Sequence, residues 1–116
     1  MATPQQHKLL KDSQEYRDLV NVNKKAKEAR SKANEVKKQK NTAVDAHHAD
    51  PHNEDKEEIA EADEELYNVY DELAKGYITD ITVKETALLK KAKQICENHE
   101  ANAKAICDAA KLAAKA

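Results

Sequence analysis

The sequence predicts an all-α protein, an antiparallel three-helix hairpin or bundle with coiled-coil-like seams. Three observations carry that prediction. Composition is the first: 36% of residues are charged, and the 116 residues include one Gly, two Pro and neither Phe nor Trp. Wealth in Ala, Lys, Glu and Leu with so few breakers favours long helices over sheet or disorder. The second is a three- and four-residue spacing of apolar positions, the period of a helix face. The third is sorted charge. Met1 to Val44 carry a net +6, Asp45 to Asp80 −11 and Ile81 to Ala116 +3, giving the chain its −2. Opposite blocks that are adjacent in sequence can fold back on each other as antiparallel neighbours.

The first helix is expected over about residues 4–44. It opens with Thr3-Pro4-Gln5-Gln6, where Thr caps, Pro fits the first helical position and Gln6 reaches back to the cap. Leu19, Val22, Ala26, Ala29, Ala33, Val36, Lys40 and Ala43 then form a narrow heptad stripe of mostly small residues. Such a stripe specifies close helix contact more than it supplies hydrophobic energy.

Asp50-Pro51 ends that helix and starts the second, over about 51–75, because a residue before Pro is biased out of the helical region. Glu54, Asp55, Glu57 and Glu58 follow at the positive end of the helix dipole. Ile59, Leu66, Val69 or Tyr70, and Leu73 read as its apolar face, and Gly76 as its left-handed stop.

The third helix is expected over about 82–115, starting at the capping box Thr82-Val83-Lys84-Glu85. It contains an eleven-residue repeat, Ala92-Lys93-Gln94-Ile95-Cys96 and Ala103-Lys104-Ala105-Ile106-Cys107, which returns each Ile-Cys pair to nearly the same side of an unbroken helix. Eleven residues would separate the two thiols by ~16 Å, against the ~7 Å limit for bridged Cα atoms. Cys96 and Cys107 therefore read as small apolar seam residues. The predicted interaction seam comprises Leu19, Val22, Ala26, Val36, Ile95, Cys96, Ile106 and Cys107, within a single helical domain spanning 1–116.

Chemistry-bearing candidates are few. His47, His48 and His52 lie among Asp45, Asp50, Glu54 and Asp55, a set that can hold a divalent transition metal, the plainer reading being a polar, solvated corner. Cys96 and His99 at i, i+3 supply only two of the four ligands of a zinc site. Lys24, Lys25, Arg30, Lys37 and Lys38 carry charge suited to nucleic-acid contact, but Tyr16 is the one aromatic in their block, so bases have little to stack on. The plainer reading is that they pair with the acids of the second helix. That acidic helix could in turn mimic nucleic-acid charge in a basic groove of another protein.

No phosphate-cradling Gly-rich loop, Gly-x-Ser-x-Gly or His-Glu-x-x-His stands in the chain, and carboxylate-bridged iron lacks its Glu-x-x-His pairs. The expectation is therefore a non-enzymatic, cofactor-free helical interaction, assembly or adaptor protein, self-associating or bound to a protein partner. The alternative is a charge-driven inhibitor or nucleic-acid binder. No apolar run reaches membrane-spanning or signal-peptide length, and two cysteines are too few for a secreted disulfide framework, so a cytoplasmic location is expected.

Overall fold

A computed structural model describes residues 1–116 as four helices and no strand. These are α1 (Pro4–Lys11), α2 (Gln14–Ala49), α3 (Glu54–Ile95) and α4 (Glu100–Ala114). The all-α class stands, but four helices replace the expected three, and of the expected boundaries only the first and, within a residue, the last are kept.

The Thr3 capping box forms as expected: Gln6 N donates to Thr3 Oγ1 at 3.2 Å and Thr3 N to Gln6 Oε1 at 3.0 Å. The first helix then breaks at Asp12-Ser13. Ser13 Oγ accepts from Tyr16 N at 3.2 Å and itself donates to Leu10 O, while Arg17 Nη1 closes over Asp12 O at 2.9 Å. One buried hydroxyl thus ends α1 and caps α2.

At the next corner α2 runs on to Ala49, past the expected end at 44, and α3 begins at Glu54 rather than Pro51. Asn53, not Asp50, is the cap: its Oδ1 accepts from Asp55 N at 3.1 Å and Lys56 N at 3.3 Å.

The expected stop at Gly76 and start at Thr82 are both absent, because α3 continues through them for 42 residues. Gly76 keeps a negative φ. Thr82 and Thr86 bond back to the carbonyls of Ile78 and Thr82 at 3.4 and 2.9 Å, as mid-helix threonines do. A Cβ added at Gly76 would meet nothing within 4 Å. Gly76→Ala should therefore stabilise the protein by about 0.5–1 kcal/mol, raising Tm by roughly 2–5 °C in a thermal melt; a lower Tm would mean that the position needs glycine's freedom.

The expected third helix is broken at Glu97-Asn98, with φ of 52° and 66°. Asn98 N donates to Lys93 O at 2.7 Å and His99 N to Cys96 O at 3.0 Å, which terminates α3 in a left-handed turn built without glycine. His99 then caps α4, its Nδ1 accepting from Asn102 N at 3.2 Å.

The chain packs as two compact units. The first comprises Met1–Lys25 and Tyr77–Ala116. Its core joins Leu10 of α1, Leu19 and Val22 of α2, Leu88 and Ala92 of α3, Cys96 of the turn that follows α3 and, from α4, Ala103, Ile106, Cys107, Ala110 and Ala114. Tyr16, Tyr77, Ile81, Leu89 and Ile95 pack around it, partly buried. Buried Asn23 donates from Nδ2 to Ala114 O at 3.2 Å, satisfying a carbonyl in the last turn of α4. On the rim, Lys111 of α4 pairs with Glu85 of α3 at 3.4 Å.

The second unit, Ala26–Gly76, is an antiparallel pair made by the C-terminal part of α2 and the N-terminal part of α3. Ala29, Ala33 and Val36 from α2 and Ala60 and Ala74 from α3 are its buried apolar residues. Alanine on both sides permits close approach of the backbones, and the half-buried Tyr67 and Tyr70 fill between. Arg30 crosses to Asp71 at 3.3 Å, and Lys40 Nζ lies 4.9 Å from the centre of the Tyr67 ring.

Candidate functional site

The face of α3 turned toward α2 is not the one that its largest apolar residues predict. Ala60, Asp63, Tyr67, Tyr70, Asp71 and Ala74 are buried or half-buried, whereas Ile59, Leu66, Val69 and Leu73 are 56%, 41%, 61% and 44% exposed. The cause lies in α2, whose seam of Ala29, Ala33 and Val36 is too shallow to receive Ile and Leu without forcing the helices apart. Small residues meet small residues instead, Arg30 finds Asp71, and the bulky stripe is left outward.

That stripe is regular. Ile59, Ala62, Leu66, Val69 and Leu73 step alternately by three and four residues, which confines them to a sector of about 80° on a 3.6-residue helix. Beside its first turn runs a groove of about 450 Å³ between α2 and α3, lined by Ala43, Ala46, Thr42, Lys38, Ile59 and Asp63. The exposed Glu58, Glu65 and Glu72 border one side of the stripe and Asp63 and Tyr70 the other.

Acids here exceed their partners. Glu54, Glu57, Glu58, Glu61, Glu64 and Glu65 are exposed and form no salt bridge. Asp71 is the exception. Lys75 at 2.9 Å, with Arg30 adding to it, holds its carboxyl below the usual carboxylate range, and the same contact raises Lys75. What this trio adds to stability is complete above the ordinary carboxylate range and is lost as pH falls through the depressed value.

The expected wholesale pairing of basic and acidic blocks is thus sparse. With few pairs formed, repulsion among the acids is expected to be the larger effect, so Tm should rise by a few degrees between about 0.02 and about 0.5 M NaCl as screening takes hold. A Tm that falls over that range would restore cross-helix pairing as the larger effect.

No protein family, curated protein or solved structure matches the chain. The remaining candidates therefore rest on their placement alone.

Of the seam residues, Leu19, Val22, Cys96, Ile106 and Cys107 are buried and Ile95 half-buried in the first unit, while Val36 is buried and Ala26 half-buried in the second. The two Ile-Cys pairs do not form one stripe on one helix, because the left-handed turn sends them to different helices of a shared core. Both thiols are free, and burial raises both above the usual thiol range.

Lys24 and Lys25 are exposed in the first unit and Lys37 and Lys38 in the second, while Arg30 is taken up by Asp71. The His47 and His48 rings lie 6.1 Å apart between centres and are tilted by 40°, and His52 lies exposed in the turn before α3. No group of three His, Cys, Asp or Glu side chains is arranged to hold a metal ion, so these three imidazoles do not converge as a metal site. The turn at 50–53 carries His52 off the end of α2, and His99 spends its Nδ1 on the α4 cap rather than facing a metal beside Cys96.

The stripe of α3 and the buried Asn23 escaped sequence reasoning in different ways. The stripe is visible in the sequence as an apolar face, but its orientation is not. Asn23 carried no signal beyond its place next to Val22, one step around the helix from the seam.

Proposed function

We propose that this chain is a non-enzymatic helical interaction protein, an adaptor or assembly component, that engages another helix through the outward stripe of α3. The observation that carries this reading is the regular exposure of Ile59, Leu66, Val69 and Leu73 on one narrow face. Single exposed apolar residues are ordinary, but a heptad of them flanked by charge is the pattern of a helix seam. No helix is long and apolar enough to cross a membrane. A cytoplasmic setting accords with the two free thiols.

A photo-cross-linking residue in place of Val69 should give a defined adduct in cells, with a helical partner or with a second copy. The same group in place of Asn68, exposed on the neighbouring face, should not. Equal or absent adducts at both positions would overturn the reading.

The unpaired acids favour a second reading, in which the acidic helix occupies a basic groove by charge alone. Binding of that kind would vanish steeply with salt and survive polar replacement of Leu66 and Val69. Nucleic-acid binding through the basic residues of α2 would appear in light scattering as a salt-sensitive mass increase on adding DNA or RNA.

A further inference from the structure

The stripe is an apolar seam without a partner in its own unit, and its borders specify what can cover it. In heptad terms Ile59, Leu66 and Leu73 occupy one core position and Ala62 and Val69 the other. The flanking position on one side is then Glu58, Glu65 and Glu72, and on the other Asp63 and Tyr70. Flanking residues choose the partner in such seams, because each lies opposite a flanking residue of the incoming helix. Four of these five carry negative charge and none carries positive.

A second copy fits poorly. Stripe against stripe in antiparallel register sets Glu58, Glu65 and Glu72 against the same three acids. Parallel register sets Glu58 against Asp63 and leaves Glu65 facing Tyr70. The basic residues that could neutralise these acids sit on α2, but the fully buried apolar residues of that helix in this unit, Ala29, Ala33 and Val36, already belong to the hairpin core. An anionic lipid surface or a nucleic acid would meet the same repulsion.

The groove beside Ile59 extends the seat onto α2, where Ala43 and Ala46 give a third helix a second wall. We infer that the stripe of α3 seats an amphipathic helix of another protein, one whose heptad apolar positions are bordered by Lys or Arg. This rests on the helix-docking function proposed above and names the chemistry of its partner. The incoming basic residues pair with Glu58, Asp63, Glu65 and Glu72, its apolar ones cover Ile59, Leu66, Val69 and Leu73, and a two-helix unit with an alanine core becomes a three-helix one.

The test uses the full chain and three synthetic helices of about four heptads, with the same Leu/Ile core and with flanking positions all Lys, all Gln or all Glu. Titration by fluorescence anisotropy at low salt should rank them Lys, then Gln, then Glu. The Lys peptide should bind at least about 30-fold tighter than the Glu peptide, as four exposed charge pairs of modest strength would give. Leu66→Ser/Val69→Ser, both at exposed sites, should keep the helical circular dichroism and lose the Lys peptide. Changing Glu58, Glu65 and Glu72 to Lys should reverse the ranking.

Equal binding of all three peptides, abolished by the Ser variant, would overturn the charge selection and leave a docking stripe. A dimer in sedimentation that the Ser variant dissolves would make a second copy the occupant, again overturning this inference alone. Failure of every peptide with a monomeric chain would overturn both the inference and the docking function.

Discussion

Ile106→Ala should lower the unfolding free energy by about 2–5 kcal/mol in urea denaturation, and Leu88→Ala by a similar amount. Both side chains are fully buried in the one cluster where α1, α2, α3 and α4 meet, and neither has a neighbour that can move in without opening a second void. Ile95→Ala should have a smaller effect, because Ile95 only borders that cluster. Leu112, 74% exposed on the same helix as Ile106, is the control, and its Ala variant should be close to wild type. The same core governs the thiols. Cys96 and Cys107 are buried and shifted away from thiolate, so both should react with a maleimide only on the timescale of opening, and faster in Ile106→Ala. A neutral Ile106→Ala with rapid labelling of the wild type would place these residues outside the core.

Asn23→Asp should destabilise at neutral pH by about 3 kcal/mol, more than Asn23→Ala, although it changes a single atom group. The amide of Asn23 donates to Ala114 O at 3.2 Å from a site only 7% exposed. A carboxylate there would face the carbonyl with no proton to give and little water to replace it. Protonated, it can donate again. The pKa of the new carboxyl in the folded chain would therefore lie above its unfolded value, and the deficit relative to Asn should shrink as pH falls toward the protonated form. A deficit that is the same at pH 7 and pH 4 would show that the bond to α4 does not govern the site.

What the sequence made legible follows from the kind of signal each element carries. The seam of α2 was readable because its small residues recur at three- and four-residue steps with charge on either side, and its residues lie where that period puts them. The capping box at Thr3 was equally readable, since both reciprocal bonds are local. Gly76 misled because glycine marks a helix end only when the chain needs a positive φ there, and α3 runs helical through it. The turn at Glu97-Asn98 misled in the opposite sense, with a left-handed stop made by two residues that often sit inside helices. Ser13 was an available signal, a hydroxyl residue after Asp12, but without Glu three positions on it lacked the full capping box. The orientation of α3 was not readable from α3 at all. It carries one face of Ala, Tyr and Asp and another of Ile, Leu and Val, and the partner helix, by being shallow, decides which turns inward.

The core of the first unit also sets a schedule for the newborn chain. Leu10, Leu19 and Val22 share one buried cluster with Ile106, Cys107 and Ala110, so the first three leave the ribosome well before the α4 residues that complete their core. At synthesis rates of about 5–20 residues per second, those residues spend roughly 5–20 s without the helix that covers them. The hairpin of α2 and α3 in the second unit lies wholly within residues 26–76 and can close during that interval, while the first unit cannot be completed until α4 has been translated. A chain that has emerged from the ribosome only as far as Ile95 would therefore leave Leu10, Leu19 and Leu88 without the helix that completes their core, the state in which a chaperone has most to hold.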